Sequence, residues 1–402
     1  MYIAMGKKLL FLVLLTFAFF LLNPFSGFGQ SCSTKPTASI SGTTTICAGT
    51  SATITFTATA LTTVTYRINS GTNQTINIGS SGSNTLSATN LTTTTTFSLV
   101  SVQYTSGNCN PQTPTGSAIV TVNPNPTITG ILAVCAGSNT QLSGSATPAA
   151  TNPWISSNTS IATVNSSGLV TGIASGSSTI TYTNSNGCQI TAIVTVNALP
   201  TITGTLAVCA GSTTQLGGSA TPAATNPWVS SNASVATVNS SGLVTGIASG
   251  TSTITYTNNN GCKITAIVTV NALPTISGTL AVCAGLTTQL NGSATPAASI
   301  PWISSNTSVA TVSSSGLVTG IASGSSTITY TNNNGCKITA IVTVNTLPTI
   351  TGTLTVCASS TTQLNGSATP AASNPWISSN TSVATVSSSG LVTGVASGTS
   401  TI

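Results

Sequence analysis

The sequence contains no Asp, no Glu and no His, and only six of its 402 residues are Lys or Arg. General acid–base catalysis relies mainly on the missing residue types, and a Ser-His-Asp triad cannot be assembled without them. Calcium sites need carboxylate ligands, and zinc sites use His, carboxylates or closely spaced Cys, but no Cys-x-x-Cys spacing is present. A Ser–Lys pairing is left, but Lys263 and Lys337 are predicted to point outward. The sequence therefore predicts a chain that is not an enzyme and holds no metal or other cofactor.

Positively charged residues are few, and no negatively charged residue balances them. Beyond residue 29 the basic residues are Lys35, Arg67, Lys263 and Lys337. Binding to nucleic acid or to an anionic membrane surface needs clustered Lys and Arg, and four scattered charges form no cluster. The sequence predicts neither kind of partner.

What the sequence does contain is a repeat with a fixed period of 74 residues. A segment beginning Trp-x-Ser-Ser-Asn recurs with small changes and starts at Trp154, Trp228, Trp302 and Trp376. A period of this size is typical of tandem architectures in which each repeat is one structural unit.

Within a repeat the apolar residues alternate with hydroxyl residues. Ile254 and Tyr256 alternate with Thr253, Thr255 and Thr257, which is the period of a half-buried strand. Short strands separated by Gly- and Ser-containing turns are typical of an all-β sandwich or barrel.

The repeat resembles the bacterial immunoglobulin-like domain of group 2. The resemblance rests on W-x-S-S-N-x-S-V-A-T-V-x-S-x-G-L-V-T-G-x-A-x-G-x-S-T-I-T-Y, which recurs with small changes at 154–182, 228–256 and 302–330, and from 376 up to Ile402. The family implies a seven-strand sandwich, usually in tandem on surface proteins and adhesins, and no catalytic residues. We therefore expect tandem immunoglobulin-like β-sandwich domains in a linear array.

The expected organisation has six segments. Residues 30–123 lack the Trp motif but carry Cys-Ala-Gly and Gly-Asn-Cys landmarks, which indicate a divergent sandwich. The last segment is 17 residues shorter than a full repeat, so we expect the natural chain to continue. The segments are a signal peptide (1–29), a divergent immunoglobulin-like or PKD-like sandwich (30–123, the first domain), repeats A (124–197), B (198–271) and C (272–345), and the incomplete repeat D (346–402).

The N-terminus is typical of a secretory signal peptide. Lys7 and Lys8 precede an almost wholly apolar run of 14 residues that ends at Leu22, too short for a membrane-spanning helix. The alternative is a lipoprotein anchored through Cys32, although the residues before it fit a lipobox poorly. The sequence predicts a secreted or cell-surface protein with no membrane-spanning segment after cleavage.

The joints between the expected domains are short and contain proline. They lie at 123–126, 197–200, 271–274 and 345–348. Because proline fixes φ and removes a backbone donor, these joints favour a semi-rigid rod over a flexible string.

The cysteines recur with the repeat, and export favours disulfides. Pairing within each domain is the favoured interpretation, because each repeat would then fold by itself. The expected pairs are Cys47–Cys109, Cys135–Cys188, Cys209–Cys262 and Cys283–Cys336. Because such residues lie at opposite ends of a plain sandwich, this pairing requires the stretch from Leu206 to Cys209 to curl back beside the last strand. The alternative is a bridge between neighbouring domains. The neighbour scheme contains Cys209–Cys336 and Cys32–Cys109. The candidate disulfide cysteines are Cys47, Cys109, Cys135, Cys188, Cys209, Cys262, Cys283 and Cys336.

One tryptophan per repeat is expected to pack in the sandwich core. The alternative is a solvent-facing ring that stacks on carbohydrate. The residues concerned are Trp154, Trp228, Trp302 and Trp376.

Two functions are consistent with these features. The favoured hypothesis is a non-catalytic stalk or adhesin segment that spaces a distal binding or anchoring module, because near-identical repeats add length rather than new sites. The unknown glycan or protein ligand would then be bound by a part outside this chain. The alternative is a carbohydrate- or ice-binding module that acts through Ser/Thr/Asn-rich strand faces, such as the hydroxyl row of Thr253, Thr255 and Thr257.

Overall fold

The computed structural model describes residues 34–107 and 109–402, and every regular element in them is a β-strand. The expected signal peptide and Cys32 lie outside these residues. Nowhere in the described ranges is there a helix with the length and apolarity needed to cross a membrane. The chain divides into two compact parts, one up to Leu199 and one from Pro200 onward.

The first domain is a sandwich of a three-stranded and a five-stranded sheet, in the orders β1-β3-β6 and β2-β8-β7-β4-β5. Its core contains Phe56 and Phe97, both at most 1% exposed. The strands are β1 (Ala38–Ser41), β2 (Thr44–Cys47), β3 (Thr50–Ala58), β4 (Thr62–Ile68), β5 (Asn73–Ile78), β6 (Ser83–Leu91), β7 (Thr95–Tyr104) and β8 (Ser117–Asn123).

The three complete repeats have equivalent sets of eight strands. Repeat A contains β9 (Ile128–Gly130), β10 (Ala133–Cys135), β11 (Asn139–Gly144), β12 (Trp154–Ser156), β13 (Ala162–Val164), β14 (Leu169–Gly172), β15 (Gly176–Thr183) and β16 (Gln189–Asn197). Repeat B contains β17 (Ile202–Gly204), β18 (Ala207–Cys209), β19 (Thr213–Gly218), β20 (Trp228–Ser230), β21 (Ala236–Val238), β22 (Leu243–Gly246), β23 (Gly250–Thr257) and β24 (Lys263–Asn271). Repeat C contains β25 (Ile276–Gly278), β26 (Ala281–Cys283), β27 (Thr287–Gly292), β28 (Trp302–Ser304), β29 (Ala310–Val312), β30 (Leu317–Gly320), β31 (Gly324–Thr331) and β32 (Lys337–Asn345).

Each complete repeat is a sandwich of two four-stranded sheets, which in repeat B have the orders β17-β19-β22-β21 and β18-β24-β23-β20. The family resemblance implied seven strands, and the eighth arises because the first strand is split. β17 joins one sheet, whereas β18 crosses to the other and pairs parallel with the last strand, β24. All-β sandwiches were predicted, and they are confirmed.

The alternating pattern produces the core as expected. In β23, Ile254 and Tyr256 are buried, whereas the Thr residues between them are partly exposed. The Tyr256 ring lies against Gly218, where any Cβ would overlap the ring. Glycine at this position therefore makes room for the aromatic side chain.

The described residues of repeat D form two smaller sheets of the same kind. They are a two-stranded sheet, β33-β35, and a three-stranded sheet, β34-β37-β36. The described residues of this repeat contain no counterpart of the β31–β32 hairpin. The strands are β33 (Ile350–Thr351), β34 (Thr361–Gln363), β35 (Asn365–Gly366), β36 (Ala384–Val386) and β37 (Leu391–Gly394).

Candidate functional site: the joints and the outer sheet faces

Cys209 lies at the end of repeat B from which the chain leaves. In the parallel pairing of β18 with β24, Cys209 is opposite Asn271, the last residue of the last strand. The next residue, Ala210, donates its amide to the Asn271 carbonyl at 2.9 Å. The Pro-containing joint begins at Asn271, so Cys209 is held beside the joint.

Cys336 lies at the end of repeat C at which the chain enters. It belongs to the turn between β31 and β32, where the Asn333 amide donates to the Thr295 carbonyl at 2.8 Å. Nearby, Thr275, the first residue after the joint, donates its amide to Ser293 Oγ at 2.8 Å. The hairpin tip is therefore on the same side of repeat C as the incoming joint.

These two ends are joined covalently. A disulfide links Cys209 to Cys336, with 5.6 Å between their Cα atoms. In the other compact part, Cys47 of the first domain is linked to Cys188 of repeat A, again with a Cα separation of 5.6 Å. Cys47 is likewise opposite the last strand residue, Asn123. Both bridges therefore connect consecutive domains across a joint.

The favoured pairing within each domain is wrong. Cys209 is bonded to Cys336 rather than Cys262, and Cys47 to Cys188 rather than Cys109. These two bridges also exclude the expected pairs Cys135–Cys188 and Cys283–Cys336. The first strand does run beside the last one, as pairing within a domain was expected to require, but the parallel pairing places Cys209 beside Asn271, at the end of the sandwich opposite the hairpin cysteine. The neighbour scheme is correct for Cys209–Cys336, whereas its Cys32–Cys109 bridge involves a residue that is not described.

The remaining cysteines fall into two groups. Cys109, Cys135 and Cys262 are also in disulfides. Among the described cysteines, Cys283 and Cys357 have free thiols, the first half-buried and the second exposed. The inclusion of Cys283 among the disulfide candidates is therefore wrong for this structure.

A buried asparagine fixes the turn that presents each hairpin cysteine. Asn332 is 2% exposed, and its Oδ1 accepts hydrogen bonds from the amides of Asn334 at 3.1 Å and Cys336 at 3.0 Å. Asn184 and Asn258 do the same in repeats A and B. Sequence reasoning missed this role, although an Asn four residues before each hairpin cysteine is a recurring signal for a side-chain-closed turn.

The tryptophans of the complete repeats lie in the core. Trp154, Trp228 and Trp302 are 6–7% exposed, and each ring centroid is 4.5–4.6 Å from that of a core tyrosine. Trp376 of repeat D is only partly buried. In repeats A–C this burial leaves no indole face for stacking on a ligand.

The predicted hydroxyl row is interrupted by other residue types. Thr253 is paired across the sheet with Ile267, which is 61% exposed, and Thr257 with Lys263. Thr255 lies between Thr265 and Val229. The outer face therefore mixes hydroxyl, branched apolar and basic side chains rather than forming an unbroken threonine array.

The fold defines a class of protein: tandem immunoglobulin-like sandwiches. The family model for the bacterial Ig-like domain (group 2) matches residues 118–196, 198–270, 274–344 and 341–402. The chain belongs to this family, which confirms the resemblance noted in the sequence.

One curated relative is Ice-binding protein 1 of Shewanella frigidimarina (strain NCIMB 400). It is 33% identical over 335 residues, which cover 72% of this chain and 36% of the relative. This chain therefore spans little more than a third of that protein.

Two solved structures show weak similarity to this chain. A C-terminal fragment of intimin, in complex with the intimin-binding domain of its translocated receptor, is 22% identical and has a TM-score of 0.28, with 42% of this chain and 66% of that chain covered. The S-layer protein rSbsC is 17% identical, with a TM-score of 0.19 and coverage of 89% and 62%. Scores this low carry no argument about function.

Proposed function

We propose that this chain is a non-catalytic stalk or adhesin segment of an exported surface protein, which spaces a distal binding or anchoring module. The observation that carries the proposal is that Cys47–Cys188 and Cys209–Cys336 each join one domain to the next across a joint. A bond in this position adds a second covalent connection between domains that are already linked by a short, proline-containing segment. Two connections restrict bending and twisting at the joint far more than one.

The interior of each complete repeat supports the same function. The core residues of repeat C, such as Leu290 and Val318, are fully buried, and Trp302 packs against Tyr330. A closed core of this kind transmits load but does not enclose a ligand. The described residues also supply no Asp, Glu or His for catalysis.

The disulfides and the family are consistent with an exported protein. Structural disulfides persist mainly in oxidising compartments, and the sequence predicts a signal peptide. We therefore place the mature chain outside the cytoplasm, secreted or at the cell surface, with its ligand bound by another part of the protein.

Small-angle X-ray scattering tests the stalk. Strands of about ten residues give domains roughly 35 Å long, so four domains in a line exceed about 120 Å. We expect a maximum dimension beyond that length under oxidising conditions. After reduction we expect a broader range of angles between neighbouring domains. A compact particle of the same mass would contradict the proposal.

The second candidate function is ice or carbohydrate binding by the outer sheet faces. It is favoured by the exposed Thr and Ile residues of β24, such as Thr265 and Ile267, and by the similarity to Ice-binding protein 1. The test is ice recrystallisation and glycan-array binding by the oxidised chain. Activity that is lost in Thr265→Lys, with the fold retained, would favour this function over the stalk.

A further inference from the structure

Most sheet edges of this chain are short or carry a charge. In the complete repeats each sheet ends in strands of three residues, such as β17 and β20 in repeat B. In the first domain the edge strands β1 and β2 have four residues each. At the start of the edge strand β5, the Arg67 guanidinium donates two hydrogen bonds to Asn73 Oδ1, at 3.1 and 3.2 Å. Short edges and edge charges both hinder the pairing of one sheet with another.

The edge strand β6 of the first domain has neither kind of protection. It has nine residues, none of them charged and none of them proline, and among the described residues only β3 pairs with it. Its outer face carries the exposed hydroxyl residues Thr85, Ser87 and Thr89, whereas Leu86 and Ala88 face the core. A long, uncharged edge of this kind is open to pairing with another strand.

The backbone groups of β6 point alternately toward β3 and away from it. Ala58 of β3 donates its amide to the Gly82 carbonyl at 2.9 Å, and the same register places Leu86 opposite Ile54. Every second pair of an antiparallel ladder is hydrogen-bonded. Leu86 is therefore bonded to β3, and Ser87 directs its amide and its carbonyl away from the sheet.

The sequence around Ser87 reads alike in both directions. The seven residues centred on it are Asn-Thr-Leu-Ser-Ala-Thr-Asn. When two copies pair antiparallel with Ser87 opposite Ser87, Thr85 lies opposite Thr89 on the outer face, and Leu86 lies opposite Ala88 on the inner face. Hydroxyl side chains then meet hydroxyl side chains, apolar side chains meet apolar ones, and no like charges face each other. Cross-strand pairs of this kind stabilise a sheet.

We propose that β6 is a self-association surface, at which a second copy of this chain adds its own β6 antiparallel across a two-fold axis at Ser87. In this isologous contact each Ser87 amide donates to the Ser87 carbonyl of the other copy. The sheet β1-β3-β6 thereby continues from one copy into the next, which is β-strand addition. The inference concerns assembly and does not depend on the stalk function.

One side chain limits the pairing beside the axis. Asn84 Oδ1 accepts a hydrogen bond from the Thr85 amide at 2.8 Å, and Asn84 Nδ2 donates to the Asn77 carbonyl of β5 at 2.8 Å. The Thr85 amide must leave Asn84 before it can bond to a second strand. A contact through one pair of strands is also small, below the roughly 1,200 Å² of a standard interface. We therefore expect a weak and reversible dimer.

Analytical ultracentrifugation of the oxidised full chain, at concentrations up to about 1 mM, tests the dimer. The weight-average mass should rise with concentration toward twice that of the monomer. Ser87→Lys places like charges opposite each other at the axis and should weaken the dimer at least about tenfold, and Ser87→Glu should do the same. Thr75→Lys adds a charge at an exposed position of the neighbouring edge strand β5 and should leave the dimer unchanged.

A mixture of the two charged variants identifies the axis. Because residue 87 meets itself in the dimer, Ser87→Lys and Ser87→Glu should each be mainly monomeric alone and should associate one to one when mixed. A misfolded variant would not regain association in this way. The proposal is overturned if the unchanged chain stays monomeric up to about 1 mM, if Thr75→Lys weakens the dimer as much as Ser87→Lys, or if the mixed variants fail to associate.

Discussion

Repeats C and D have almost the same sequence up to Ile402 but different cores. Leu290 and Val318 of repeat C are fully buried, and Trp302 is 6% exposed. Their counterparts in repeat D include Trp376, which is half-buried. In repeat C the β31–β32 hairpin covers Trp302, and the described residues of repeat D contain no counterpart of this hairpin. Leu364 and Val392, the counterparts of Leu290 and Val318, stay buried at 3% and 5% exposed, so the hairpin decides the burial of the tryptophan and not that of every core residue.

The largest expected effect comes from truncating the repeated tryptophan in each setting. Trp302→Ala removes a core side chain and should cost about 3–5 kcal/mol, whereas Trp376→Ala should cost about 1 kcal/mol. Hydrogen exchange of amides in each repeat measures both losses. Equal losses would show that repeat D has a closed core.

The second comparison concerns bonded and free cysteines at equivalent places. Replacing both Cys209 and Cys336 by Ser removes a bridge between repeats B and C and should lower stability by about 2–4 kcal/mol. Cys283→Ser removes a free thiol and should change stability by about 0.5 kcal/mol or less. Calorimetry without reductant measures the difference, and an equally large loss in Cys283→Ser would contradict the observed bonding.

A methyl group added at the glycine that precedes each Ser-Ala-Thr-Pro segment gives a smaller effect. Gly292→Ala forces a Cβ into the Tyr330 ring and should cost about 1–3 kcal/mol through overpacking. In Gly366→Ala the nearest contact is Trp376 Cζ2 at 3.7 Å, so no such cost is expected. Denaturant unfolding of the two variants provides the measurement, and a marked loss in Gly366→Ala would mean that a side chain fills the space beside Gly366.

The smallest expected effect is that of acid. Stability depends on pH only where folding changes proton binding, and the chain has no Asp, Glu or His. The melting temperature should therefore be nearly constant from about pH 3 to 7. A fall of more than a few degrees in calorimetry at fixed salt would reveal a bound ion or partner.

Alkali should act differently, because burial raises the pKa of Tyr66 above its ordinary value of 10.0. A raised folded-state pKa of an acid means that stability is full below the unfolded pKa and is lost as pH rises through the folded one. Tyr66→Phe should reduce this alkaline loss in the first domain. An unchanged alkaline profile would show that Tyr66 does not cause it.

Much of the fold could be predicted from the sequence because each repeat carries the same short-range pattern of apolar and polar residues. The alternation around Ile254 fixes a strand and its buried face, and the fixed period indicates tandem sandwiches. Which cysteines meet could not be read in this way. It depends on β18 pairing parallel with β24, a contact between residues far apart in sequence, and on which ends of two sandwiches face one joint.

The central claim is that disulfides connect consecutive domains and not the two ends of one domain. Peptide mapping without reductant tests it, provided that the fragments around Cys262 and Cys336 extend beyond the identical segments 252–271 and 326–345, for example to Ala272 or Thr346. The account predicts that the fragment containing Cys209 is joined to the fragment that ends in the Thr346 context, through Cys336. A fragment joining Cys209 to Cys262 would contradict the account.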